Sequence, residues 1–93
     1  MPHKYEESKT WDKPAWKKFR KHIGANIYAC RKAQGLSLEE FSEKSGYSVG
    51  LILRVEQGKG FFDLPLVFHM TQALKVPTEV IFRSENLQTR PEG

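Results

Sequence analysis

GLSLEEFSEKSGYSVGLILRVEQG, residues 35–58, is the stretch that decides the fold, because three glycines divide it into two short helices. Ser37 follows Gly35, and its hydroxyl can accept a hydrogen bond from an orphan amide of the next turn, while Glu40 three positions on completes a capping box. Leu38, Phe41 and Ser45 recur at helical spacing, and Gly46 supplies the positive φ that ends the helix. Ser48 opens a second helix in the same way, Leu51, Ile52 and Val55 form its apolar stripe, and Gly58 closes it. So few residues separate the two that a sharp angle between them is forced.

Outward from this pair the chain reads as helices throughout. Trp16, Phe19, Ile23, Ile27 and Cys30 are spaced 3, 4, 4 and 3 apart, which predicts one long amphipathic helix starting near Asp12 and Pro14 and ending at Gly35, with Gly24 as a place for a kink. After Gly58, Asp63 can cap and Pro65 can occupy the first turn of a fourth helix, whose inward face is expected to be Leu64, Val67, Phe68, Thr71 and Leu74. Pro77 ends it, and Thr78 can cap a short fifth helix through Phe82. No segment alternates with period 2, so no strand is expected. The expected organisation is an arm over 1–12, one all-α domain over 13–83 and a polar tail over 84–93.

Ninety-three residues suit one small domain. With 39% apolar residues, the chain can fold. The lone Cys30 cannot form an intrachain disulfide and fits a reducing compartment, which points to the cytoplasm. No apolar run approaches the roughly 20 residues of a membrane span. No metal or other cofactor is expected: His3, His22 and His69 lie far apart without ligand spacing.

The net charge of +4 is unevenly spread. Lys13, Lys17, Lys18, Arg20, Lys21, Arg31 and Lys32 occur with no acidic residue among them, and the rest of the chain is slightly acidic. Such a run suits an anionic polymer, and two short helices joined by a tight turn are the arrangement that places a helix in the DNA major groove. Trp16 and Phe19 beside lysines would also suit a membrane surface, although no membrane partner is expected.

Residues 23–82 resemble the Cro/CI-type (XRE-type) helix-turn-helix family. Its motifs appear as Arg31-Lys32-Ala33-Gln34-Gly35-Leu36-Ser37, then Glu39-Glu40-Phe41-Ser42-Glu43-Lys44-Ser45-Gly46-Tyr47-Ser48, then Val55-Glu56-Gln57-Gly58-Lys59. Ala73-Leu74-Lys75-Val76 and Ile81-Phe82 fall at the family's ALGV and LF positions without a gap. The resemblance implies a compact five-helix, lambda repressor-like DNA-binding domain, here with an extended basic first helix. It also implies a bacterial, phage or plasmid origin.

The resemblance further implies roles for single residues. Arg31 and Glu56 match a pair that forms a buried structural ion pair, and Leu36, Phe41, Ile52, Val55, Leu74 and Ile81 match core positions. Residues 49–57 match the recognition helix, with Ser48, Val49, Gly50, Leu53 and Arg54 facing bases. Lys17, Lys18, Arg20, Lys21, Lys59 and the amide of Leu38 at the start of the second helix would meet phosphates. The chain departs from the family where Leu38 replaces a frequent Gln and where Val49 and Leu53 replace polar residues. Of the base-facing set only Arg54 is well equipped for direct readout, and Val49 and Leu53 could touch thymine methyl groups.

Two functions follow. The first is a sequence-specific transcriptional regulator, a repressor, that binds double-stranded DNA as a homodimer with recognition helices about 34 Å apart. The alternative is a protein-interaction module, antitoxin-like or an adaptor, using the apolar face of the third helix. Residues 51 to 53 cannot all point inward, so at least one leucine is left for a partner. One ring of Phe61-Phe62 is expected in the core and the other at a dimer contact. No nucleophile motif or phosphate loop is present, and the carboxylates of Glu39, Glu40 and Glu43 suit a solvated helix surface, so no enzyme is expected.

Overall fold

The structure, a computed structural model, describes residues 7–59 and 63–83. The readings made for 1–6, for 60–62 with Phe61 and Phe62, and for 84–93 lie outside the described residues. The rest forms five helices, α1 Lys13–Ala33, α2 Leu38–Ser45, α3 Val49–Glu56, α4 Leu64–Leu74 and α5 Thr78–Ile81, with no strand among the described residues.

Four of the five helix starts are set by a side chain. The Asp12 carboxylate accepts from the Ala15 amide at 3.0 Å, Ser48 Oγ from Leu51 at 3.2 Å, and Asp63 from Leu66 at 2.8 Å. At α2 both halves of the capping box form: Ser37 Oγ accepts from the Glu40 amide at 3.0 Å, and Glu40 Oε1 accepts from the Ser37 amide at 2.8 Å. The fifth helix departs from expectation. Its cap is Pro77, which offers no side-chain acceptor, and Thr78 is already its first residue.

The long α1 is the backbone of the fold and packs against α3, α4 and α5, while α2 closes over α3 and α4. The core comprises Ile23, Ile27, Cys30, Phe41, Ile52, Val55, Val67, Met70, Leu74 and Ile81. Removing these side chains from water is the main stabilising term, roughly 1.5–3 kcal/mol for each large one. Burial in this setting pushes the Cys30 thiol above its ordinary pKa.

The inward face of α4 differs from the expected one. Val67, Thr71 and Leu74 are buried, but so is Met70, whereas Leu64 and Phe68 are 66% and 48% exposed. Because α4 is apolar nearly all round, the Leu64–Phe68 stripe and the Val67–Met70–Leu74 stripe are equally regular in sequence, and the packing of α1 and α2 selects the second. In α1 the apolar face is buried only from Ile23 onward, and Phe19 stays 39% exposed.

Two glycines set how closely the helices approach. α1 runs unbroken through Gly24, and a Cβ there would stand 2.7 Å from the Glu56 carbonyl oxygen. Gly58, with φ of 72°, brings the chain leaving α3 against Lys21, whose Cα would lie 2.6 Å from an added Cβ.

Candidate nucleic-acid interface

The turn between α2 and α3 is fixed from both sides. Gly46 leaves α2 in the left-handed conformation, Ser42 Oγ donates to the Tyr47 carbonyl at 2.6 Å, and Ser45 Oγ accepts from the Tyr47 amide at 3.2 Å. Tyr47 then reaches α4, where its hydroxyl pairs with His69 Nδ1 at 2.9 Å and the two rings meet edge to face at 5.3 Å. His69, to which sequence reading gave no role, thus helps to aim α3.

Held in this way, α3 buries Ile52, Val55 and Glu56 and turns Ser48, Gly50, Leu53 and Arg54 outward, with Val49 half-buried at its start. Leu53 is 41% exposed, while Leu51 packs against the core, so Leu53 is the leucine left outside. Arg54 makes no ion pair or side-chain hydrogen bond with the described residues. An added Cβ at Gly50 would meet nothing within 4 Å. The outward face of α3 is therefore open and low in relief at its start, and carries one cation at its end.

The orientation of α3 depends on a buried ion pair. Arg31 Nε lies 2.7 Å from Glu56 Oε2 and its Nη2 donates to Glu56 Oε1 at 3.1 Å, a bidentate pair joining α1 to the end of α3. Arg31 Nη1 also donates to the Leu36 carbonyl at 2.8 Å, and the guanidinium stacks on Tyr28 at 5.4 Å. The hydrogen bond with Glu56 raises the Arg31 pKa above its ordinary value.

The basic residues gather at the far end of α3. Gly58 abuts Lys21, and the Lys59 amide donates to the Arg54 carbonyl at 2.8 Å, so the backbones of Lys21, Arg54 and Lys59 converge where α3 ends. Lys17 and Lys18 lie a turn further along α1, exposed, and Arg20 is half-buried against Trp16. Ser48 to Gly50 lie at the other end of α3, about 12 Å away along an eight-residue helix.

The start of α2 has a different charge. Leu38 is half-buried against the core, and the first turn carries Glu39 and Glu40. A phosphate approaching the Leu38 amide meets this acidic turn, in which the Glu40 carboxylate is held below its ordinary pKa by its bonds with Ser37. Among the described residues no group of His, Cys, Asp and Glu could hold a metal ion, and no helix is long and apolar enough to cross a membrane.

Sequence reading did not anticipate three arrangements that exist only in the folded chain. Asn26, 1% exposed, donates through Nδ2 to the Ile81 and Arg83 carbonyls at 2.8 and 3.1 Å and ties the end of α5 to α1. Leu64, Pro65, Phe68, Thr78 and Phe82 line an open apolar surface between α4 and α5. A row of rings runs from Trp11 through Trp16 and Phe19 to Phe82, with neighbouring centroids 5.9 to 6.4 Å apart.

In comparison with known proteins, the helix-turn-helix family model matches residues 27–81, from the middle of α1 to the end of α5. No match is found among curated proteins.

Proposed function

The chain belongs to the Cro/CI-like helix-turn-helix family of DNA-binding regulators, and from that membership we propose that it is a sequence-specific transcriptional repressor acting on operator DNA. The observation that carries the reading is the outward face of α3, along which Ser48, Gly50, Leu53 and Arg54, the last unpaired among the described residues, are exposed beside half-buried Val49. In this reading Arg54 reads a base edge, Val49 and Leu53 touch thymine methyls, and Lys17, Lys18, Arg20, Lys21 and Lys59 hold phosphates of the flanking backbone. The acidic first turn makes the Leu38 amide the weakest of the proposed phosphate contacts. The working unit is residues 13–83, acting in the cytoplasm.

Operators recognised by such domains are two-fold, and the active form proposed here is a homodimer. The surface of Leu64, Pro65, Phe68, Thr78 and Phe82 carries no charged side chain, so a second copy could meet it without like charges facing each other.

A mobility-shift titration of duplex DNA across a salt series tests the reading. Affinity should fall steeply with salt as phosphate contacts are lost, and selection from random duplexes should yield a two-fold site. Absence of any shift at low salt would reject it. The exposure of Leu53 favours a second reading, in which the apolar side of α3 docks a protein partner as an antitoxin or adaptor would. In that case Leu53→Asp abolishes partner binding in a chain that shifts no DNA.

A further inference from the structure

α3 is tied to its neighbours by side-chain bonds at both ends, and the two ties differ in kind. At its end the bidentate Arg31–Glu56 pair is buried, its side chains 7% and 4% exposed. Just before its start, the Tyr47 hydroxyl pairs with His69 Nδ1 of α4 at 2.9 Å, and the two rings meet at 72° with His69 open to solvent. The Tyr47 backbone is itself held within the turn: its amide donates to Ser45 Oγ, and its carbonyl accepts from Ser42 Oγ. The residues that follow add no side-chain hydrogen bond to another helix. Ser48 uses its Oγ to cap α3, Val49 has no polar group, and an added Cβ at Gly50 would meet nothing within 4 Å. Ile52 is the first residue of α3 to be fully buried.

A hydrogen bond open to water adds little to stability, because water replaces it when it breaks. It restricts orientation nonetheless, since with its ring held to α4 the turn delivers the start of α3 in one arrangement. Base reading depends on that arrangement, because hydrogen bonds weaken steeply once distance and angle depart from their optimum. Phosphate contacts through flexible lysines carry no sequence information and tolerate a shift of the helix. We propose that Tyr47 and His69 are positioning residues for duplex recognition: their bond holds the start of α3 as base reading needs it. They thereby raise discrimination between an operator and random duplex while adding little to the stability of the fold. The proposal rests on the reading of α3 as the helix that enters the duplex, and neither residue belongs to the set read as facing DNA. Without the bond only a fraction of the molecules present α3 correctly, and affinity for the operator falls by that fraction.

Tyr47→Phe and His69→Phe each keep a ring at the contact and remove the bond. The native chain, both variants and the double variant are titrated by mobility shift against the duplex that the native chain selects and against a random duplex of equal length. Thermal unfolding of each protein is measured alongside. Each single variant should bind the selected duplex roughly 2- to 12-fold more weakly, the range that the net contribution of one hydrogen bond spans. Affinity for random duplex, its salt slope and the Tm should stay as in the native chain. The double variant should lose no more than either single variant, because both remove the same bond. Undiminished discrimination in Tyr47→Phe would overturn the proposal and leave duplex reading standing. Equal losses on both duplexes with a lowered Tm would make the contact structural only, and additive losses in the double variant would mean that the two residues act separately. A native chain that shifts neither duplex removes the proposal together with the reading on which it rests.

Discussion

Gly24 of α1 lies directly against the Val55 carbonyl at the end of α3, and a methyl group at residue 24 would also stand 2.7 Å from the Glu56 carbonyl oxygen and 2.9 Å from its carbon. Both neighbours are backbone, so relief requires the two helices to separate. Alanine is the better helix former by about 1 kcal/mol, yet Gly24→Ala is expected to destabilise the domain by roughly 1–3 kcal/mol because overpacking outweighs propensity. Urea denaturation of the variant checks this, and a gain in stability would show that the crossing can open without cost.

The Arg31–Glu56 pair should behave as a buried charge pair whose two halves depend on each other. Glu56→Ala leaves the Arg31 guanidinium without its carboxylate and should cost about 3–5 kcal/mol. In the double variant Arg31→Met/Glu56→Leu, apolar packing should recover most of that loss. It should still fall short by roughly 1–3 kcal/mol, because the Leu36 carbonyl loses the donor it has at 2.8 Å. Thermal unfolding of Arg31→Met, Glu56→Leu and the double variant closes the cycle, and simple additivity would show that the two side chains are not coupled.

What could be read from the sequence is what local chemistry encodes. Asp12, Ser37, Ser48 and Asp63 announce their helices because a cap needs only residues within three positions of it. The face of α4 could not be read, because Leu-Pro-Leu-Val-Phe-His-Met leaves two overlapping apolar stripes and only the neighbouring helices choose between them. Gly24 looked like a place for a kink, whereas its role is set by α3, some thirty residues away. The periodicity of Ile52 and Val55 showed that residues 51 to 53 could not all point inward, whereas the outward set Ser48, Val49, Gly50, Leu53 and Arg54 came from the family resemblance, and of these Val49 is half-buried. Two features were not legible: the Tyr47–His69 contact and the meeting of Phe19 with Phe82 join residues whose types carry no mutual signal until the chain has folded.

Lys75 closes α4 in the left-handed conformation, with φ 58° and ψ 42°, at the position where the family's ALGV motif has glycine. A side chain there costs roughly 1–2 kcal/mol in steric terms, partly offset because glycine loses more entropy on folding. Lys75→Gly should therefore stabilise the domain by up to about 1 kcal/mol, seen as a higher Tm, and a lower Tm would show that the lysine makes a compensating contact.

The capping box at α2 gives stability a defined dependence on acid. Hydrogen bonds from the Ser37 amide and hydroxyl hold the Glu40 pKa below its ordinary value. The contribution is therefore complete above the unfolded-state pKa, near 4.3 for a glutamate, and is lost as pH falls through the lower folded value. Denaturation midpoints measured from neutral to acid pH should fall more for the native chain than for Glu40→Gln, which keeps an amide oxygen for the Ser37 amide but does not titrate in this range. Equal slopes would remove Glu40 from the acid response.

Gly50 separates what the fold requires from what the proposed interface requires. It lies in the first turn of α3, exposed, with negative φ and nothing within 4 Å of an added Cβ, so no contact in the free domain opposes a side chain there. On helix propensity Gly50→Ala should stabilise the free protein by up to about 1 kcal/mol. If α3 enters the major groove, the same methyl group stands where the backbone approaches base edges, between Val49 and the Leu53–Arg54 pair, and affinity for the selected duplex should fall. Gly50→Leu should stay folded and lose binding further. Measuring both variants by thermal unfolding and mobility shift gives opposite signs for stability and affinity if this face meets DNA. Undiminished affinity in Gly50→Leu would place the DNA contact elsewhere on the domain.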